Sequence, residues 1–255
     1  MSRARLSLLT YLAWSDLQRR YAGTKAGILW TILAPVALIG AMWFALDIGL
    51  GMRAAGPAFG VNLVIGMVAW LAFSESVGDA TGCVLRSPHL VKKVVFPVEL
   101  LPLASVMSSF AVHLCLLAVL IAALALQGQA ALGMIWTLPF WMALSAVMAA
   151  GLGFAVAGLN VIVRDTQAVA PFLVTVWFWL TPIVWPFSRI EEPWRWLGGL
   201  NPMAVVVEGY RTALTGAPYP FEPLAVIAAV AISIAVGAAG YVLFATLRPS
   251  FPDSL

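Results

Sequence analysis

"LLPLASVMSSFAVHLCLLAVLIAALAL", residues 100–126, carries no Asp, Glu, Lys or Arg, and a single histidine. A helix needs roughly 20 predominantly apolar residues to cross the hydrocarbon core of a bilayer. The run is long enough to span completely, and the polar break Gln127-Gly128-Gln129 ends it. Comparable uncharged runs lie at 26–46, 166–187 and 223–247.

The rest of the composition agrees. Of the 255 residues, 62% are hydrophobic and only 10% charged, and the mean hydropathy is +0.98. Soluble domains carry roughly 25% charged residues. The expected fold class is therefore an all-α integral membrane protein forming one domain, 1–255. Six spans are the most economical division: 26–46, 57–80, 100–126, 132–163, 166–187 and 223–247. The second has Glu75 and Asp79 near its far end.

Lys and Arg report topology in such a chain. With both ends inside, ten of the 14 basic residues face the cytoplasm: Arg3, Arg5, Arg19, Arg20, Lys25, Arg86, Lys92, Lys93, Arg164 and Arg248. Arg53, Arg189, Arg195 and Arg211 stay outside, diluted by Glu191, Glu192, Glu208 and Glu222. The expectation is N-in, C-in. The net charge of +3 gives no reason to expect a nucleic acid partner.

Two segments are not spans. Residues 1–25 are read as a cytoplasmic interface helix, with Leu6, Leu9, Ala13, Leu17 and Tyr21 on one stripe and Thr10 and Arg20 intruding on it. The start is not expected to be a cleaved signal peptide, because Asp16, Arg19 and Arg20 interrupt it and no small-residue cleavage site follows. Between the fifth and sixth spans, the uncharged runs 197–207 and 212–221 are too short to cross. They suit re-entrant helices within a periplasmic region 188–222, with turn signals at Asn201-Pro202 and 216–218.

Absent motifs exclude several chemistries. No GxxxxGK[ST] loop is present, so the chain is not expected to hydrolyse ATP. His89 and His113 form no HExxH, and Cys83 and Cys115 have no metal-ligand spacing; no metal site and no catalytic residue are expected. His113, inside the third span, is read as a hydrogen-bonded structural residue. The later spans hold no mid-span charge and no inverted repeat is visible, which argues against ion coupling. The energy for any transport must then come from a partner acting on the charged cytoplasmic turns.

Four blocks resemble the permease subunits of ABC-type polysaccharide exporters. They are "DLQRRYAGTKAGILWTILAP" (16–35), "VKKVVFPVELLPLASV" (91–106), "LNVIVRD" (159–165) and "LNPMAVVVEGYRTAL" (200–214). They appear in family order over nearly the whole chain. Thr24-Lys25 departs from the small-then-aliphatic pair of many members, and the first external loop identifies no subfamily.

The resemblance implies a homodimer in the bacterial inner membrane, paired with two copies of an ABC ATPase subunit that carries the Mg-ATP. The chain itself would hold no cofactor. The cargo would be a lipid-linked polysaccharide, an O antigen or capsule, moving through a channel at the dimer interface, with periplasmic or outer-membrane export proteins as further partners. A permease for small lipids or drugs is the alternative, and an intramembrane polyprenyl-phosphate enzyme a weaker one, since clustered carboxylates or basic residues at a membrane face are missing.

On this reading the ATPase interface comprises Asp16, Arg19, Arg20, Tyr21, Arg86, His89, Lys92, Lys93, Arg164 and Asp165, with 81–99 as a coupling or gate segment. Pro97 and Pro102 are expected to separate that segment from the third span. Sugar rings present C–H faces that stack on aromatics, by analogy with bases on aromatic platforms. The candidates for the glycan path are Trp30, Trp43, Phe44, Trp70, Phe73, Trp177, Phe178 and Trp179. Trp185, Trp194 and Trp196 read first as interface anchors. Arg53, Arg189, Arg195, Asn201, Tyr210 and Arg211 are candidates at the periplasmic exit.

Overall fold

The computed structural model describes residues 3–20, 27–52, 58–92, 96–191 and 194–254, and every regular element among them is helical. In chain order these are α1 (Arg3–Arg20), α2 (Trp30–Trp43, continued by a π-helical turn Phe44–Gly49), α3 (Phe59–Gly82), α4 (Pro88–Val91) and α5 (Leu100–Leu126). A 3₁₀ turn Leu132–Thr137 leads into α6 (Leu138–Ile162), followed by α7 (Thr166–Leu180), α8 (Arg195–Leu200), α9 (Pro202–Thr215), α10 (Pro223–Leu247) and α11 (Phe251–Ser254). Tyr21, Lys25, Arg53, Lys93 and Glu192 lie outside the described residues.

Five stretches are long and apolar enough to cross a membrane: Trp30–Gly49, Phe59–Gly82, Leu100–Leu126, Gly133–Ile162 and Pro223–Ser250. Helix α5 has the bounds that its uncharged run sets. Pro102 lies inside its first turn, where no backbone N–H is required for the helical ladder, so only Pro97 separates the helix from the preceding segment.

The uncharged run 166–187 does not form one helix. Helix α7 stops after 15 residues, because Thr181 is extended, with φ −97° and ψ 135°. A residue before proline is driven out of the α region, and Pro182 follows. The runs 197–207 and 212–221 are corrected too. Asn201 caps α9, accepting from the backbone N–H groups of Met203 and Ala204, and α9 continues through Glu208 and Arg211 to Thr215. The two charges do not break the helix because they neutralise each other one turn apart, at 2.6 Å. Gly216, at φ +70°, closes it, and no helix follows before Pro223.

Helix α3 is the centre of the bundle, with Leu63, Ile65, Phe73 and Ala80 fully enclosed. It packs on α5, α6, α7 and α9. Helix α9 is buried along Pro202–Leu214. The tightest seam joins α6 and α10, where a Cβ on Gly240 would run into the backbone of Gly151. Small residues let membrane helices approach this closely. Further along, Gly158 meets Phe244, and Phe154 meets Tyr241 and Phe244. The contacts advance in the same sense on both helices, so α6 and α10 run parallel.

Helix α1 lies across the start of α5, placing Leu9, Leu12 and Ala13 against Leu100, Leu103 and Ala104. Leu6, expected on the buried stripe, is 55% exposed. Leu12 is buried instead, and Tyr11 and Trp14 face outward.

Candidate functional site

The charged residues expected at one surface divide between two environments. Arg20 points inward. Its guanidinium pairs with Asp16 on its own helix at 2.8 Å and with Asp79 of α3. Ser108 of α5 donates to Asp16 at 2.7 Å, and Ser109 donates to Asp79 at 3.2 Å. Arg20 also donates to both hydroxyls. One cation therefore holds α1, α3 and α5 together, beside a cavity of ≈ 730 Å³ also lined by Arg19, Glu75 and Arg86. That Arg20 intrudes on an apolar stripe was the sign of this inward partner.

The other ATPase-interface candidates among the described residues sit at the surface. Arg19, Arg86, His89, Lys92, Arg164 and Asp165 are exposed. Arg86 donates to the Asp79 carbonyl at 2.6 Å, which fixes the turn after α3. His89 lies in the one-turn helix α4, and Arg164 and Asp165 lead into α7. Glu99, at the start of α5, pairs with Arg248 after α10 at 3.3 Å.

The aromatic candidates also fall into two groups. Trp70 and Phe73 of α3 are enclosed, at 4% and 0% exposure. They meet Trp177 and Phe178 of α7 in one cluster, with ring centroids 5.3–6.3 Å apart. Tilted and edge-on contacts of this kind are favourable beyond their buried area. Trp30, Trp43, Phe44 and Trp179 are exposed. Trp185 donates its indole N–H to the Trp179 carbonyl at 3.1 Å, so it braces the end of α7.

At the end of the bundle away from α1, Arg211 is only 6% exposed. It donates to the carbonyls of Pro182 at 2.8 Å, Ile183 at 3.1 Å and Asn62 at 3.1 Å, and pairs with Glu208. The end of α7 leaves backbone acceptors without helical donors, and this side chain satisfies two of those beyond it. Gly66 of α3 leaves room for the guanidinium, since a Cβ there would approach it to 3.1 Å. The pair forms part of the wall of a cavity of ≈ 490 Å³ with Asn62, Trp185, Ser188 and Arg195. Arg195 donates to the Ile190 carbonyl, and Arg189 is exposed.

Tyr210, an expected exit residue, is 1% exposed. Its hydroxyl and His113 Nε2 of α5 are hydrogen-bonded at 2.9 Å, in keeping with the structural role expected for His113. Nearby, Tyr219 donates to the Val205 carbonyl at 3.1 Å. Burial pushes the Tyr219 hydroxyl above its ordinary pKa, and the Glu208 charge adds to the rise. The serines of α5 were not anticipated. Their signal was present, since Ser105, Ser108, Ser109 and His113 recur on one face of an otherwise apolar helix.

The signature of the ABC-2 type transporter family matches residues 7–215. The chain is similar to the O-antigen export system permease protein RfbA of Myxococcus xanthus, at 28% identity over 251 residues, 97% of this chain and 95% of that protein. It is 26% identical over 249 residues to the O-antigen export system permease protein RfbA of Klebsiella pneumoniae, with coverage of 97% and 95%.

Proposed function

The chain belongs to the ABC-2 type transporter family and is a multi-pass membrane transport protein, and from that premise we propose that it is the permease subunit of an ATP-driven exporter of a lipid-linked surface polysaccharide. The observation that carries the reading is near full-length similarity to permeases named for O-antigen export. Two copies would form a channel at their interface in the inner membrane, driven by two copies of a separate ABC ATPase carrying Mg-ATP. Periplasmic or outer-membrane export proteins would receive the product.

The parallel course of α6 and α10 supports six crossings, N-in and C-in. Two parallel spans begin on the same side, so the chain between them must return. At 1.5 Å per residue, α7 with its 15 residues covers about 22 Å, short of the ~30 Å hydrocarbon core. The non-helical stretch 181–186 would complete the crossing, and α8 and α9 would then form the re-entrant pair of the periplasmic region 188–222. The excess of basic residues at the α1 end supports the orientation.

Among the aromatics, the exposed Trp30, Trp43, Phe44 and Trp179 are the better candidates to meet glycan, with Trp70, Phe73, Trp177 and Phe178 holding α7, which presents Trp179, against α3. On the cytoplasmic side, exposed Arg19, His89, Lys92 and Arg164 are the better candidates for direct ATPase contact, with 81–99 as the coupling segment. Asp16 and Arg20 would act by holding α1 in place. The test is co-expression with an ABC ATPase encoded beside this chain. The expected result is a purified complex with ATPase activity whose loss abolishes surface polysaccharide. If the two chains do not associate, the reading fails.

A further inference from the structure

Helix α5 carries polar groups at two levels. At the α1 end, Ser108 and Ser109 bind the Asp16–Arg20–Asp79 cluster. One helical turn further, on the same face, His113 binds Tyr210 of α9. The neighbour of Tyr210 in sequence is Arg211, whose guanidinium holds the Pro182 and Ile183 carbonyls at the break after α7. Polar contacts thus connect α1 to the α7 break through two rigid elements, α5 and α9.

We propose that His113 is a positioning residue, which through Tyr210 fixes α9 to α5 so that displacement of α1 is passed to the non-helical segment after α7. Packing alone does not require this pair. Apolar side chains would fill the same space, and interhelical hydrogen bonds in membranes contribute little to stability on average. What the pair supplies is direction. A hydrogen bond between two buried side chains is satisfied in one relative placement of α5 and α9, whereas apolar contacts tolerate sliding. Arg211 then carries that placement to the break, because its hydrogen-bond partners outside α9 are backbone carbonyls. The proposal rests on the export reading only in taking α1 as the element on which a partner pushes.

The test needs neither ATPase nor glycan, so it is separable from the export reading. Ser188 is exposed in the 3₁₀ turn Phe187–Arg189, beside the Arg211 cavity. Ser188→Cys, in a Cys115→Ser background that removes the exposed native thiol, is labelled with a charged maleimide in the detergent-purified chain. Arg20→Gln is expected to change the labelling rate by about 2- to 30-fold, the range of coupling seen for residues between distant sites. Adding Tyr210→Phe or His113→Leu should abolish that change, whereas His113→Gln, which can still bond Tyr210, should retain it. Ser109→Ala replaces Arg20→Gln if the latter does not fold. The same fold-change with and without Tyr210→Phe overturns the proposal, and so does an unchanged rate for the folded cytoplasmic-end variant.

Discussion

Trp177 donates its indole N–H to Asn201 Oδ1 at 3.0 Å, so the residue that caps α9 also holds the last turn of α7. The Asn201 amide nitrogen donates to Oγ1 of Thr181, the first residue past the end of α7, at 3.1 Å. One side chain therefore supports the end of α7, the start of α9 and the extended Thr181 that stops α7.

Asn201→Ala should destabilise the protein by more than an ordinary cap. Loss of the cap costs about 0.5–2 kcal/mol, and the orphaned Trp177 N–H adds about 1–3 kcal/mol. Thermal unfolding in detergent measures the sum, and pairing Asn201→Ala with Trp177→Phe should recover part of the second share. No recovery would mean that the Trp177 contact contributes nothing.

Arg211→Ala leaves Glu208 buried beside two unbonded carbonyls and should cost about 3–5 kcal/mol, as when one partner of a buried pair is removed. Arg211→Met with Glu208→Leu should cost less than Arg211→Met alone. Chemical denaturation of the parent, Arg211→Met, Glu208→Leu and the double variant decides this, and strict additivity of the two substitutions would contradict it.

The aromatics separate by readout. Trp70→Ala removes an enclosed ring and should lower stability by about 3–5 kcal/mol. Trp179→Ala removes a ring that is 58% exposed; it should leave the melting temperature nearly unchanged and reduce surface polysaccharide in cells. Equal polysaccharide from the Trp179→Ala strain would remove this ring from the glycan path.

Gly240→Ala should separate α6 from α10, because the added methyl group meets the Gly151 backbone rather than a side chain that can turn away. Overpacking of this kind costs about 1–3 kcal/mol. Gly40→Ala in α2, where nothing lies within 4 Å, should be neutral or stabilising. A comparison of the two melting temperatures is the check.

How far the sequence discloses these features depends on whether the physical cause is local. The bounds of α5 follow from composition, because the charge-free run and the Gln127-Gly128-Gln129 break are both local. The end of α7 was legible in Thr181-Pro182, but the apolar residues beyond it extend the hydropathy signal past the end of the helix. Helix α9 crosses two charges because they face each other, which depends on a packing environment that hydropathy does not contain. The site was harder still. Arg20 and Arg19 are neighbours with the same charge, and only the partners brought from α3 and α5 distinguish the inward residue from the outward one.

The contact between Gly151 and Gly240 has a mechanical corollary. Two helices touching through backbone cannot slide past one another without lifting apart, since there is no side-chain layer between them to shear. Helices α6 and α10 are thus expected to move as one body in any rearrangement of the bundle.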